Sequence, residues 1–307
     1  MRKLVLLIGL LFLPAMGFAQ LLKERRVYYL DCSYSMLELK IWDLVRDNLI
    51  NAIDNVSDET TELIVIPFAD NTLKNPVLKP IKAFATKSGK EMLKNTINRL
   101  PMTKNTMTYH YIPFNDFYAN RVDESRVTYM FLMTDGQDED RDCLAKKKLL
   151  PQWSNRFGDR NVFGFYVMLH KEAKDSSIER IIDSQKHLWK VETADVNINL
   201  VRLQSNAIFN IKNDKYFDLP IYGDSKDMNF IASFQNTCPF KVNRLEKNGS
   251  KLRIWVNVDK KEQIPESSIV SLKVKMEGCG PYDFLVTDQI NIKCENKPER
   301  SLKISVR

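Results

Sequence analysis

Arg26-Val27-Tyr28-Tyr29-Leu30-Asp31-Cys32-Ser33-Tyr34-Ser35 reads as a buried β-strand that runs out into a polar loop. A later stretch repeats the arrangement: Val127-Thr128-Tyr129-Met130-Phe131-Leu132-Met133 is almost wholly apolar and ends in Thr134-Asp135-Gly136. Runs of this kind fit central strands of a parallel sheet covered on both faces. The first strand end supplies one carboxylate and two hydroxyls in a single tight loop, and the second adds another carboxylate at the same edge if the two strands are parallel neighbours. Oxygen donors of this type suit Mg²⁺ or Mn²⁺ far better than zinc or copper. Each motif alone is weak, because Asp, Ser and Asp-Gly crowd ordinary turns by capping backbone N–H groups. Their joint placement after two β-rich runs is what points to a metal site.

Asp-x-Ser-x-Ser after one buried strand, a Thr midway and Thr-Asp-Gly after a later strand resemble the von Willebrand factor type A family and its metal-ion-dependent adhesion site. The resemblance implies a doubly wound α/β fold. It also implies an ion held by Ser33, Ser35 and a Thr, with the carboxylates Asp31 and Asp135 acting through water or as hydrogen-bond acceptors. The midway loop reads Met102-Thr103-Lys104-Asn105-Thr106-Met107-Thr108 and lacks the two glycines usual in the family. Thr106 is the expected ligand, ahead of Thr108 and then Thr103. The implied ligand is a partner protein's Asp or Glu carboxylate. Neutral hydroxyls leave most of the ion's positive charge available to attract it.

The ends of the chain carry their own signals. Met1-Arg2-Lys3 followed by apolar Leu4–Leu13 and Pro14-Ala15-Met16-Gly17-Phe18-Ala19 has the layout of a cleaved signal peptide over residues 1–19. Its apolar run is too short for a stable membrane anchor. The expected protein is therefore exported, secreted or held at the periplasm or cell surface. The whole chain carries a formal net charge of +7. Acidic and basic residues are interspersed apart from Lys146-Lys147-Lys148, which reads as a solvated face and not as a nucleic-acid site. Five cysteines include Cys238, Cys279 and Cys294 near the C-terminus, among which a disulfide could form, whereas Cys32 should point back into the core. The three histidines, His110, His170 and His187, are scattered, which argues against a zinc or Cys–His catalytic site.

From residue 20 to 213 strands and helices alternate, predicting a mostly parallel sheet with helices on both faces. Trp42, Val45, Leu49 and Ile53 place a helix over 40–56. Further helices are expected over 89–100, 112–121 and 176–186, strands over 61–68 and 161–169, and an edge strand over 188–191. Residues 197–206 read as a closing helix. Pro220 and Gly223 mark 214–224 as a linker, and 225–307 is rich in short alternating runs and turns. That texture predicts a second, smaller all-β sandwich, immunoglobulin-like in general architecture. No Gly-x-Ser-x-Gly elbow or second-metal cluster is present, so the chain is expected not to be an enzyme. The competing expectations are an assembly module with a vestigial metal site and a metal-assisted hydrolase. Sequence leaves the oligomeric state open.

Overall fold

The computed structural model describes residues 23–69, 79–100, 107–158, 160–169, 176–192, 198–235, 238–259, 264–265, 267–280, 283–287 and 289–296. The expected leader at 1–19 and the expected ligand Thr106 lie outside them.

β1 (Lys23–Asp31) opens the chain, with its last five residues fully buried, and the short α1 (Tyr34–Glu38) follows. α2 (Trp42–Asp54) buries Trp42, Val45, Leu49 and Ile53 on one stripe, as their spacing dictates. β2 (Glu62–Phe68) and β3 (Ile81–Phe84) come next. α3 (Lys87–Ile97) is capped by Thr86, whose Oγ1 accepts from the Gly89 N–H at 3.2 Å. α4 (Tyr111–Asn120) leads into β4 (Arg126–Thr134). A π-turn at Ala145–Leu149 and a 3₁₀ turn at Leu150–Gln152 run into α5 (Trp153–Phe157). β5 (Val162–Met168), α6 (Ser176–Asp183) and β6 (Leu188–Val191) complete this part.

The six strands form one sheet in the order β3-β2-β1-β4-β5-β6. All pairings are parallel except that of the edge strand β3. Successive residues of each strand face opposite cores. Tyr28, Leu30, Phe131 and Phe165 join α2 and α3 on one face, while Tyr29, Met130, Leu132 and Tyr166 join α4, α5 and α6 on the other. Strand order reverses between β1 and β4, and ligands of open α/β sheets collect at the carboxyl ends of the strands at such a point. Asp31 ends β1 and Asp135 directly follows β4.

The remaining strands are β7 (Asn199–Leu203), β8 (Asn206–Asn210), β9 (Tyr216–Tyr222), β10 (Asn229–Phe234), β11 (Phe240–Asn248), β12 (Lys251–Val258), β13 (Ser267–Glu277), β14 (Asp283–Leu285) and β15 (Gln289–Glu295). They build a four-stranded sheet, β10-β13-β15-β8, and a five-stranded sheet, β11-β12-β9-β7-β14, around a shared core that includes Phe209, Leu219, Ile254, Leu272 and Ile292.

Two expectations fail here, each for its own reason. Residues 197–206 do not form a closing helix; their centre is β7, and the β-sheet region begins there and not at 225. Leu200 packs into the α/β core while Val201 and Leu203 pack into the β core. A strand buried on both faces has no alternation to display, and its short apolar run resembles a helix fragment. The segment 214–224 is not a linker, because β9 alternates buried Phe217, Leu219 and Ile221 with more open residues. Pro220 misleads because its strand has only two pairs with β7, at Tyr222 and Ile221, leaving the proline outside that ladder. In place of the closing helix, Phe284 of β14 packs against Phe165 at 5.3 Å and Trp189 at 5.9 Å between ring centroids. All five cysteines are free thiols, including the three near the C-terminus, and Cys32 packs into the core. Among the described residues no helix is long and apolar enough to cross a membrane.

Candidate metal centre at the switch point

β1 and β4 are hydrogen-bonded neighbours, which brings the ends of the two polar motifs together. Asp31 is fully buried; its Oδ1 accepts from the Ser33 N–H at 2.9 Å and its Oδ2 from the Thr134 hydroxyl at 2.8 Å. The first bond folds the chain back just after the strand. Cys32 donates its N–H to Phe68 O at 2.8 Å, which pins the loop to the end of β2. Ser33 caps α1 through its backbone only, so its hydroxyl is not consumed as a cap and lies 3.0 Å from that of Ser35.

The second motif is as tightly set. Asp135 is fully buried, and its Oδ1 accepts from the Gln137 N–H at 2.9 Å. The turn that brings Gln137 back requires Gly136 at φ +98°, a region that side chains other than glycine rarely enter. Asp135 Oδ2 is buried and has no hydrogen-bond partner. An orphaned carboxylate oxygen at a buried position is costly unless a cation or donor completes it.

Thr108, the second-ranked threonine, lies within this cluster: its Oγ1 is 3.5 Å from Asp31 Oδ2, and its backbone N–H donates to Glu139 Oε2 at 2.8 Å. Thr103 and Thr106 fall outside the described residues. Hydrogen bonds thus join Asp31, Ser33, Ser35 and Thr108 past the end of β1, and Thr134 links Asp31 to the neighbouring Asp135 at the end of β4.

The sequence did not reveal the wall behind them. His110 is buried between Tyr166, whose hydroxyl lies 2.8 Å from Nδ1, and Thr134, whose Oγ1 lies 3.1 Å from Nε2. Thr134 has one proton and spends it on Asp31, so it accepts from His110 Nε2–H, and His110 Nδ1 accepts from Tyr166. Gly136 N–H also donates to Thr134 Oγ1 at 3.3 Å. The only sequence signal for this wall was the spacing Thr108-x-His110 directly before α4.

Electrostatics follow from burial. Desolvation, reinforced by the charge of Asp135, pushes the Asp31 carboxyl up to about 7. Desolvation brings His110 down to about 4, against the pull of Asp135, so the imidazole is neutral near pH 7. Two buried carboxyl groups without a cation between them oppose each other, and an ion at their mouth would relieve both. Among the described residues no group of three or more His, Cys, Asp or Glu side chains is placed to hold a metal. The donor set here is instead hydroxyl-rich, with two carboxylates. That chemistry fits a hard divalent ion and does not fit zinc in a Cys/His site.

No protein-family model matches the chain, and no curated protein does. Among solved structures the chain is similar to a von Willebrand factor type A protein from Catenulispora acidiphila, at 12% identity over 90% of this chain and 67% of that one, with a TM-score of 0.45. It is also similar to proximal thread matrix protein 1 from the mussel byssus with a zinc-occupied MIDAS motif, at 11% identity over 62% of this chain and 53% of that one, TM-score 0.43. A third is the pilus adhesin SpaC from Lactobacillus rhamnosus GG in an open conformation, at 10% identity, 91% and 44% coverage and TM-score 0.42. The chain spans about half the length of the mussel protein.

Proposed function

We propose that the protein is an exported, non-enzymatic binding scaffold of the von Willebrand factor A type that engages partner proteins through Mg²⁺ or Mn²⁺. Ser33, Ser35, Thr108 and Asp135 would hold the ion, and Asp31 would orient them. The observation that carries this is Asp135 Oδ2, a buried carboxylate oxygen without a partner, just past the end of the strand that pairs with the one leading into the Asp31-Cys32-Ser33-Tyr34-Ser35 loop. When bound, the ion supplies an electrophilic position for an incoming Asp or Glu carboxylate.

The chain's own residues do the rest. Asp31 fixes Ser33 through its N–H and is itself held by Thr134, so the loop is set before any ion arrives. Neutral hydroxyl ligands add no negative charge, so the ion would keep more of its positive charge than a further carboxylate would leave it, which preserves attraction for the partner. The β-sheet region serves as a spacer or second contact.

Calorimetry with Mg²⁺ and Mn²⁺ tests the ion, and capture from a surface or periplasmic fraction with and without chelator tests the partner. Saturable heat that disappears in Ser33→Ala and Asp135→Ala, together with chelator-sensitive capture, is the expected result. A fully folded wild type that takes up neither ion sinks the proposal. Metal-dependent turnover of phosphate or ester substrates would replace it with a hydrolase.

A further inference from the structure

One end of the β region brings two thiols to a shared core. Cys294 of β15 is fully buried there, in a row with its register partners Ser268 of β13 and Phe209 of β8. Phe240 opens β11 in the opposite sheet and packs on Phe209 at 6.4 Å between ring centroids. Cys238 stands two residues before Phe240 and packs, partly buried, against the same core. Strand pairing leads to the same place. β10 pairs with β13 only as far as Phe234 opposite Leu272, which leaves the Ser268 end of β13 beyond it. The chain leaves β10 at that end, and the Cys238 N–H donates back to Gln235 O at 2.9 Å. Burial pushes the Cys294 thiol up to about 12, and the nearness of Cys238 adds to the rise.

Register also removes the other cysteines. Cys279 follows the opposite end of β13, where Glu277 pairs with Asn229 at the start of β10. From Ser268 to Glu277 a strand covers about 30 Å, at about 3.4 Å per residue. A disulfide needs Cα atoms within about 7 Å, so Cys279 cannot reach Cys294. Cys32 belongs to the α/β core, and Cys143 precedes the π-turn of the α/β part.

We infer that Cys238 and Cys294, thiols in this structure, close an inter-sheet disulfide when the chain folds in an oxidising compartment. A small-molecule disulfide such as glutathione disulfide is the oxidant. The Cys238 thiolate, the more accessible of the two, attacks it, forms a mixed disulfide and expels one thiolate. The Cys294 thiolate then attacks the Cys238 sulfur and expels the second. Two electrons and two protons pass from the cysteine pair to the oxidant, which leaves as two thiols. The bond ties the end of β15 to the start of β11 and so fastens the two sheets together.

Incubating the reduced full chain in glutathione and glutathione-disulfide buffer, both folded and during refolding from urea, tests the inference after alkylation and peptide mass mapping. The buffer supplies the oxidant, so the outcome does not depend on export or on metal binding. The peptides carrying Cys238 and Cys294 should become joined, while Cys32, Cys143 and Cys279 are alkylated. The thermal midpoint of the β region should rise by about 5 °C or more over the reduced form. That gain should vanish in dithiothreitol and in Cys238→Ser, a substitution at a partly exposed position, and should persist in Cys279→Ser. Folded protein in which Cys238 and Cys294 both remain alkylated after either treatment overturns the inference. A bridge from either of them to Cys279, or a joined form no more stable than the reduced one, overturns it too.

Discussion

The Thr134 hydroxyl donates to Asp31 Oδ2 at 2.8 Å, joining the carboxyl end of β4 to a residue 103 positions earlier at the end of β1. The same oxygen accepts from His110 and Gly136, so one threonine ties both motif loops and the wall behind them into one network. Valine in its place keeps the volume and strips away the hydroxyl. Thr134→Val should cost about 2 kcal/mol of stability or more, since it leaves Gly136 N–H and His110 Nε2–H without an acceptor. It should also weaken Mg²⁺ binding, whereas Thr134→Ser should retain most of both. Denaturant melts and calorimetry on the two variants check this; equal losses in Val and Ser would assign the effect to packing.

Asp135 predicts a change of the opposite sign. Asn at this position keeps an oxygen for the Gln137 N–H and removes a buried negative charge whose other oxygen is unpartnered. Metal-free Asp135→Asn should therefore be more stable than wild type, by about 1–3 kcal/mol. Wild type should overtake it when ion is added, because saturation at a hundred times Kd stabilises by about 2.7 kcal/mol. Thermal melts with chelator and with Mg²⁺ measure the crossing. A variant less stable than wild type under both conditions would show that the carboxylate is satisfied without an ion.

The pH dependence of the metal-free protein is set by two neighbours that oppose each other. His110 falls from 6.5 to about 4 in the folded state, so the unfolded chain binds its proton more readily and stability rises with pH between those values. Asp31 rises from 3.8 to about 7, so the folded chain holds the extra proton and stability falls as pH climbs through that range. Between about pH 4 and 6.5 the slopes cancel, at about 1.4 kcal/mol per pH unit each. Wild type should thus show little change from this pair there. Asp31→Asn removes the falling limb and should gain about 3 kcal/mol over that interval, measurable by urea unfolding at fixed ionic strength. A variant with the same profile as wild type would exclude burial of both groups.

The α/β sheet was legible because its strands are long, apolar and punctuated by Asp-x-Ser-x-Ser and Thr-Asp-Gly, where chemistry and periodicity fall at the same positions. The wall of the site was not. His110, Thr134 and Tyr166 come from a loop and two strands, and nothing local in the chain announces that an imidazole will bridge a tyrosine and a threonine. β3 went unread because Ile81-Lys82-Ala83-Phe84 is only four residues long, with Ile81 and Ala83 partly buried and an apolar Phe84 on the exposed face beside Lys82. β7 failed for the contrary reason: Leu200 and Val201 serve two different cores, so burial on both sides erased the period that distinguishes a strand from a helix.

That last error has a measurable consequence. If 214–224 were a linker, the α/β part would unfold without regard to the β region. Instead Phe284 of β14 packs edge-on against Phe165 and at a tilt against Trp189, and Leu200 and Val286 enter the α/β core. Phe284→Ala removes the aromatic body of that contact from a partly buried site, and should cost about 2 kcal/mol, less than truncation of a fully buried phenylalanine. The loss should appear in the unfolding midpoint of the α/β sheet itself, followed through the Trp189 fluorescence in a background where the other tryptophans are phenylalanine. Wild type should lose the Trp189 signal and the β-region circular dichroism in one coincident transition, while Phe284→Ala should separate them. Two independent transitions already present in wild type would show that the regions fold as strangers, and that the aromatic contact carries no coupling.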